Sequence, residues 1–210
     1  MRGRPRGGWT SGQHHWSTTA AWLGGPLEEL DPAAAKVDLV RRWLERFGPG
    51  TVADLAWWTG WPLGATRAAL AALDTEEVEL DDGATGLVLA DDVDEVTAPE
   101  PWVALLPGLD PTPMGWKDRD WYLGPHKGQV FDRNGNVGPT IWADGRIVGS
   151  WAQRKDGDIA TRLLEDVGRE AAAAVDAAAA RLQAAIGDVR FTPRFPAPLD
   201  KALATSKGAA

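Results

Sequence analysis

DPAAAKVDLVRRWLERFGPGTVADLAWWTGWPLGATRAALAALDTEEVELDDGATGLVLAD, residues 31–91, is the stretch that decides the fold. Asp31 before Pro32 is a helix start: the carboxylate can accept from a free backbone N–H, and proline at the first helical position has no N–H to leave unpaired. Val40, Trp43, Leu44 and Phe47 recur at i, i+3, i+4 and i+7, a single apolar stripe. Gly48-Pro49-Gly50 stops that helix. Thr51 and Asp54 have the spacing of a capping box, with Asp where Glu or Gln is usual. The short helix they open carries Leu55, Trp57 and Trp58, core residues by this reading, and ends at Gly60. Pro62 opens a third helix with Leu63, Leu70 and Leu73 expected on its inward face. Val78-Glu79-Leu80 and Leu87-Val88-Leu89 read as strands, and Asp81-Asp82-Gly83 starts the turn between them.

Three short helices and a hairpin in this order make a winged helix-turn-helix, an arrangement chiefly used to dock on duplex DNA. The side chains give it mixed support. In the middle of the third helix only Thr66 and Arg67 are long or able to hydrogen-bond, whereas a helix reading base edges wants Arg, Lys, Asn or Gln. The wing carries Glu76, Glu77, Glu79, Asp81 and Asp82, the wrong sign for phosphates. The same elements also occur as a packing unit, and the acidic wing then suits a protein partner.

The 210 residues can hold one large or two small domains, and 44% hydrophobic with 25% charged residues is ordinary for a globular protein. The absence of cysteine excludes disulfides and thiolate metal sites. Three histidines, His14, His15 and His126, are too few for a histidine-rich metal cage, so no metal and no cofactor are expected. No apolar run approaches the roughly 20 residues of a membrane span, nor is there a signal peptide after the N-terminal arginines. A cytoplasmic protein with no membrane partner is expected. The net charge of −8 argues against indiscriminate coating of nucleic acid, but it leaves room for a local basic face. Arg2, Arg4 and Arg6 precede the first acid, Glu28. Residues 76–100 are strongly acidic, and Lys117–Arg133 is locally basic.

Twelve tryptophans accompany one tyrosine. Trp43 suits a core; Trp9, Trp16, Trp116, Trp121 and Trp151 are not placed by pattern, and an exposed tryptophan can stack on a base. Arg2-Gly3-Arg4-Pro5 resembles the core of a minor-groove AT-hook, but the favoured reading is the end of a strand or linker. Beyond Ala98 the composition changes. Residues 100–108 form a short buried element between prolines, and Asp110–Gly124 reads as loop with one helical turn. Thr140-Ile141-Trp142 and Ile147–Trp151 flank Asp144-Gly145, a strong hairpin signal. Asp156-Gly157 turns into Ile159–Leu164, a long alanine-rich helix covers about 169–186, and Val189-Arg190-Phe191 is expected to close the sheet. Asn134-Gly135-Asn136 is a turn.

Leu105-Leu106-Pro107-Gly108-Leu109-Asp110, Met114-Gly115-Trp116-Lys117-Asp118-Arg119, Gly138-Pro139-Thr140 and Asp144–Gly149 resemble the C-terminal signature of the winged-helix family that includes AlkZ-like DNA glycosylases. Phe47–Trp58 resembles that family's preceding winged-helix segment, and Arg4–Trp9 with Gln13–Trp16 the linker before it. The resemblance implies a concave DNA channel of stacked winged helices, a β-rich C-terminal domain, and metal-free excision of alkylated or crosslinked bases. It also implies a Gln-apolar-Gln catalytic motif in an N-terminal winged helix. Here Gln13, Gln129, Gln153 and Gln183 include no two separated by a single residue. The chain therefore reads as starting after the catalytic module, and no catalytic residue carries over. If enzymatic, it is a monofunctional DNA glycosylase; inactivity as given is the expectation. Asp118 and Asp120 beside Lys117 and Arg119 read more simply as a surface ion-pair cluster.

The expected fold is α+β: a winged helix-turn-helix, then a small antiparallel sheet or partial barrel with one long helix. Residues 1–30 are a linker or strand remnant, 31–98 the winged helix, 99–203 the β-rich domain and 204–210 a disordered tail. Double-stranded DNA is the expected partner, contacted by Thr66, Arg67, Trp116, Lys117 and Arg119.

Overall fold

In the computed structural model, which describes residues 1–8, 10–94 and 96–206, strands β1 (Arg2–Pro5) and β2 (His14–Trp16) pair as an antiparallel hairpin and a short helix α1 (Thr19–Leu23) follows. Arg2–Pro5 is thus a strand. Among the described residues before Val40 none is buried, so this hairpin contributes nothing to a core. Trp9 lies outside the described residues.

Asp31 opens α2 (Pro32–Phe47), its Oδ2 accepting the Ala34 N–H at 2.8 Å. α3 (Val52–Thr59) starts with the capping box, and Gly60 ends it in the left-handed region (φ 71°) that glycine enters without strain. α4 (Leu63–Leu70) leads into the hairpin β3 (Thr75–Glu79) and β4 (Thr85–Leu89). The stripe on α2 does what its spacing demands: Val40, Trp43 and Leu44 close on Leu55 of α3, Ala69 and Leu70 of α4, and Leu89 of β4. Two expectations need correction. Leu63 is exposed, because the inward face of α4 is Thr66, Ala69 and Leu70. Trp57 and Trp58 are 43% and 39% exposed and are not core residues.

The second half is built on a four-stranded antiparallel meander in the order β5 (Val103–Leu106), β6 (Thr140–Ala143), β7 (Arg146–Gln153), β8 (Ile159–Leu163). Asp144 and Gly145 both take positive φ, 45° and 83°, as the tight hairpin between β6 and β7 requires. One sheet face packs on α7 (Gly168–Ile186) through Ile141, Val148, Trp151 and Val175. The other face carries Trp142 and Ile147 against a helical excursion containing α5 (Asp120–Leu123) and α6 (Lys127–Val130). Covered in this way, β7 is buried on both faces, and a register shift between Ile141 and Trp142 gives it one extra residue, a β-bulge.

The expected strand at 189–191 is absent. The side-chain amide of Gln153 takes the place of a neighbouring strand, donating to the Val189 carbonyl at 2.9 Å and accepting the Phe191 N–H at 3.1 Å. The expected disordered tail also needs correction. α8 (Pro198–Thr205) runs past Ala204 and packs Leu199 and Leu203 on Ala152 and Ala160 of the sheet; residues 207–210 lie outside the described part.

α8 buries Asp200 to 1% exposure with no hydrogen-bond partner for Oδ1. Burial pushes its carboxyl up to about 6, against the pull of backbone N–H groups at the start of α8. A carboxyl with a folded pKa above its unfolded value binds a proton that the unfolded chain releases. Stability therefore falls as pH rises from about 4 to about 6 and stays low above it. Asp200→Asn should remove that slope and raise stability at pH 7.5 by up to about 3 kcal/mol, since each tenfold change in proton affinity is worth ~1.4 kcal/mol. Urea melts at pH 4 and pH 7.5 check it; equal gains at both pH values would refute the cause.

Candidate nucleic-acid interface

The two halves of the chain meet at the start of α3. Asp54 is only 3% exposed. Its Oδ2 accepts the Thr51 N–H at 2.9 Å and the Thr51 hydroxyl at 2.7 Å, and the Asp54 N–H donates back to Thr51 Oγ1 at 3.1 Å. Its Oδ1 reaches across the fold and accepts the N–H of Lys117 at 2.8 Å and of Asp118 at 3.3 Å. One carboxylate thus caps a helix and clamps a loop 63 residues away. The shorter Asp in the capping box was the visible signal; that its second oxygen holds residues 117–118 was not.

Three further residues hold the same loop. Trp116 donates its indole N–H to the Phe47 carbonyl at 3.0 Å and stands edge-on to the Phe47 ring at 5.3 Å. Gly115 lies against the same ring, where a Cβ would come within 2.6 Å of Phe47 Cδ1. Arg119 is buried, with its guanidinium 4.6 Å from the centre of the Trp57 ring and 5.4 Å from that of Phe131. Such a cation–π pair is stronger out of water. It also donates weakly to the Lys117 and Pro113 carbonyls, at 3.4 and 3.5 Å.

These placements sort the expected contact residues. Thr66 is fully buried and its hydroxyl turns back to the Pro62 carbonyl at 3.4 Å, so it has no surface to offer a base. Trp116 and Arg119 are spent on joining the two halves. Arg67 and Lys117 are exposed. The expected ion-pair cluster does not form: the salt bridges among the described residues are Asp38–Arg42, His126–Glu165 and Arg146–Glu165. Trp121, left unplaced by pattern, is 61% exposed. On the β3–β4 hairpin Glu76, Glu77 and Glu79 are all exposed, so its negative sign survives folding. Gln153 is occupied as described, and Gln183 accepts the Ile159 N–H and donates to Asp158. Among the described residues no group of three or more His, Asp or Glu side chains could hold a metal ion.

Residues 1–185 match the family model of the AlkZ-like DNA glycosylases. The chain belongs to the AlkZ-like DNA glycosylase family. An interstrand DNA cross-link repair glycosylase of Streptomyces sahachiroi is 29% identical over 181 residues, which cover 81% of this chain and 47% of that protein. The solved structure of Streptomyces sahachiroi DNA glycosylase AlkZ superimposes with a TM-score of 0.72 at 23% identity, over 87% of this chain and 51% of that one. The chain thus spans about half the length of these AlkZ relatives. The family assignment agrees with the motifs at 105–119 and 138–149, and those motifs turn out to line the loop and sheet described above. No helix among the described residues is long and apolar enough to cross a membrane.

Proposed function

We propose that this chain is the DNA-holding part of an AlkZ-like scaffold, with α3 and α4 as a helix-turn-helix, β3–β4 as its wing, and no catalytic residue of its own. The observation that carries this reading is the outer face of α4. Gly64, Ala68 and, just past its end, Ala71 are exposed and small, and Arg67 beside them is exposed and makes no ion pair among the described residues. A smooth helix with one cation can approach a groove closely and neutralise a phosphate there. Lys117, whose backbone Asp54 fixes relative to α3, supplies a second cation. The acidic wing opposes a wide footprint, so binding should be modest, with a salt slope of only about two set by the two cations. A cytoplasmic location and a double-stranded DNA partner go with this reading.

The test is fluorescence anisotropy on a labelled duplex across a salt series. Arg67→Glu and Lys117→Glu should each weaken binding several-fold and reduce the salt slope by about one. Unchanged binding in both variants refutes the assignment of this face.

The family membership favours a second reading, an active glycosylase with a constellation that the Gln-apolar-Gln pattern does not describe. The name of the relative makes alkylated or cross-linked duplex the substrate to try. Abasic sites revealed by alkali cleavage support this reading, and intact strands reject it. A third reading, a protein-binding module using the acidic wing, predicts no salt-sensitive duplex binding at all.

A further inference from the structure

We propose that Trp121 is a stacking site for an unpaired nucleobase, held out on the short helix α5 next to the loop that Asp54 and Phe47 tie to the three-helix unit. The inference rests on the reading that this chain holds DNA, and adds a contact which that reading does not need. Trp121 is 61% exposed, yet its ring is not loose. It stands edge-to-face against Trp116 at 5.2 Å and 81°, and against Tyr122 at 4.7 Å and 86°. Tyr122 is fully buried, stacks on Trp142 at 5.4 Å, and donates its hydroxyl to the Pro113 carbonyl at 2.9 Å. Trp116 is tied to the Phe47 carbonyl, and the Lys117 and Asp118 amides to Asp54. An indole that is braced on two sides and still mostly in water loses little freedom when a flat ring lands on it.

The charge around it points to a base in preference to a phosphate. Lys117 is exposed, but so are Asp118 and Asp120, and no ion pair among the described residues ties these carboxylates down. The loop carries no net positive charge to draw a phosphate backbone by itself, whereas stacking on an aromatic face works for any uncharged base. In an intact duplex the base faces are covered by their neighbours, so the ligand is a base that is unpaired, bulged or displaced. Trp16 is more exposed, at 73%, but lies on the N-terminal hairpin outside this aromatic network. It serves as the control for a merely sticky surface indole.

The experiment compares the full chain on two labelled duplexes, one fully paired and one with a single unpaired thymine. Trp121→Ala should lower affinity for the bulged duplex about tenfold and leave the paired one unchanged. Trp121→Phe should retain most of the preference, and Trp16→Ala all of it. Raising salt from about 50 to about 200 mM should weaken both complexes while the ratio between them holds, because stacking releases no counterions. If Trp121→Ala weakens both duplexes equally or neither, the inference falls and the DNA-holding reading stands. A wild-type chain that binds neither duplex overturns both.

Discussion

Gly50→Ala should destabilise the three-helix unit by about 3 kcal/mol, a loss typical of forcing atoms into a packed core. A Cβ at Gly50 would drive into the six-membered ring of Trp43. Neither partner can retreat. Trp43 is 2% exposed at the centre of the cluster formed by Val40, Leu44, Leu55, Leu70 and Leu89. The backbone of Gly50 is bonded both ways to Leu87 of β4: its N–H donates to the Leu87 carbonyl at 3.1 Å, and its carbonyl accepts the Leu87 N–H at 2.9 Å. The control is Gly64→Ala. That residue is exposed on α4 with nothing within 4 Å of an added Cβ, so the substitution should stabilise by about 0.5 kcal/mol through the helix preference for alanine. Thermal melts of the two variants should move in opposite directions. A Gly50→Ala variant as stable as wild type would show that Trp43 does not sit where it is placed.

Asp54→Ala should lose a comparable amount, about 3 kcal/mol, from two separable sources. Removing the cap leaves the Thr51 N–H without its acceptor and costs about 1 kcal/mol. Removing Oδ1 leaves the part-buried Lys117 and Asp118 amides without their acceptor, at a cost of about 1–2 kcal/mol. Thr51→Ala removes only the hydroxyl half of the cap and should lose about 1 kcal/mol. The distinguishing measurement is amide hydrogen exchange: the Lys117 and Asp118 amides should exchange much faster in Asp54→Ala and remain protected in Thr51→Ala. Equal protection in both variants would sink the clamp. The consequence for the proposed DNA contacts is direct, since the loop carrying Lys117, with α5 and Trp121 behind it, would lose its fixed position relative to α3.

Much of the fold was legible in the chain because it rests on neighbours a few residues apart. The cap at Asp31, the stop at Gly48, the Thr51–Asp54 box and the Asp144-Gly145 turn all satisfy backbone groups within one helical turn or one hairpin. The stripe Val40, Trp43, Leu44 and Phe47 named its own inward face. Reading failed where a side chain or a distant segment took over a role usually filled by backbone. Gln153 replaced the expected strand at 189–191, and α8, anchored on the sheet by Leu199 and Leu203, carried helix into Ala204 and Thr205, where the disordered tail was expected to begin. α4 hides its inward face for a related reason: its alanines carry no pattern, and Thr66 rather than Leu63 turns to the core.

The candidate interface divides along the same line. Sequence alone determined that Arg67 lies on a short helix opened by Pro62, that the hairpin after it is acidic, and that residues 105–119 and 138–149 carry a family's signature. Only the tertiary structure decided that Thr66, Trp116 and Arg119 face inward, that Asp54 holds the loop of Lys117, and that Trp121 is braced yet open to water. Caps, turns and stripes are set by short-range sterics and hydrogen bonds, which a linear string displays. Exposure is set by whichever segment, far along the chain, comes to cover a side chain, and no local spacing encodes that partner.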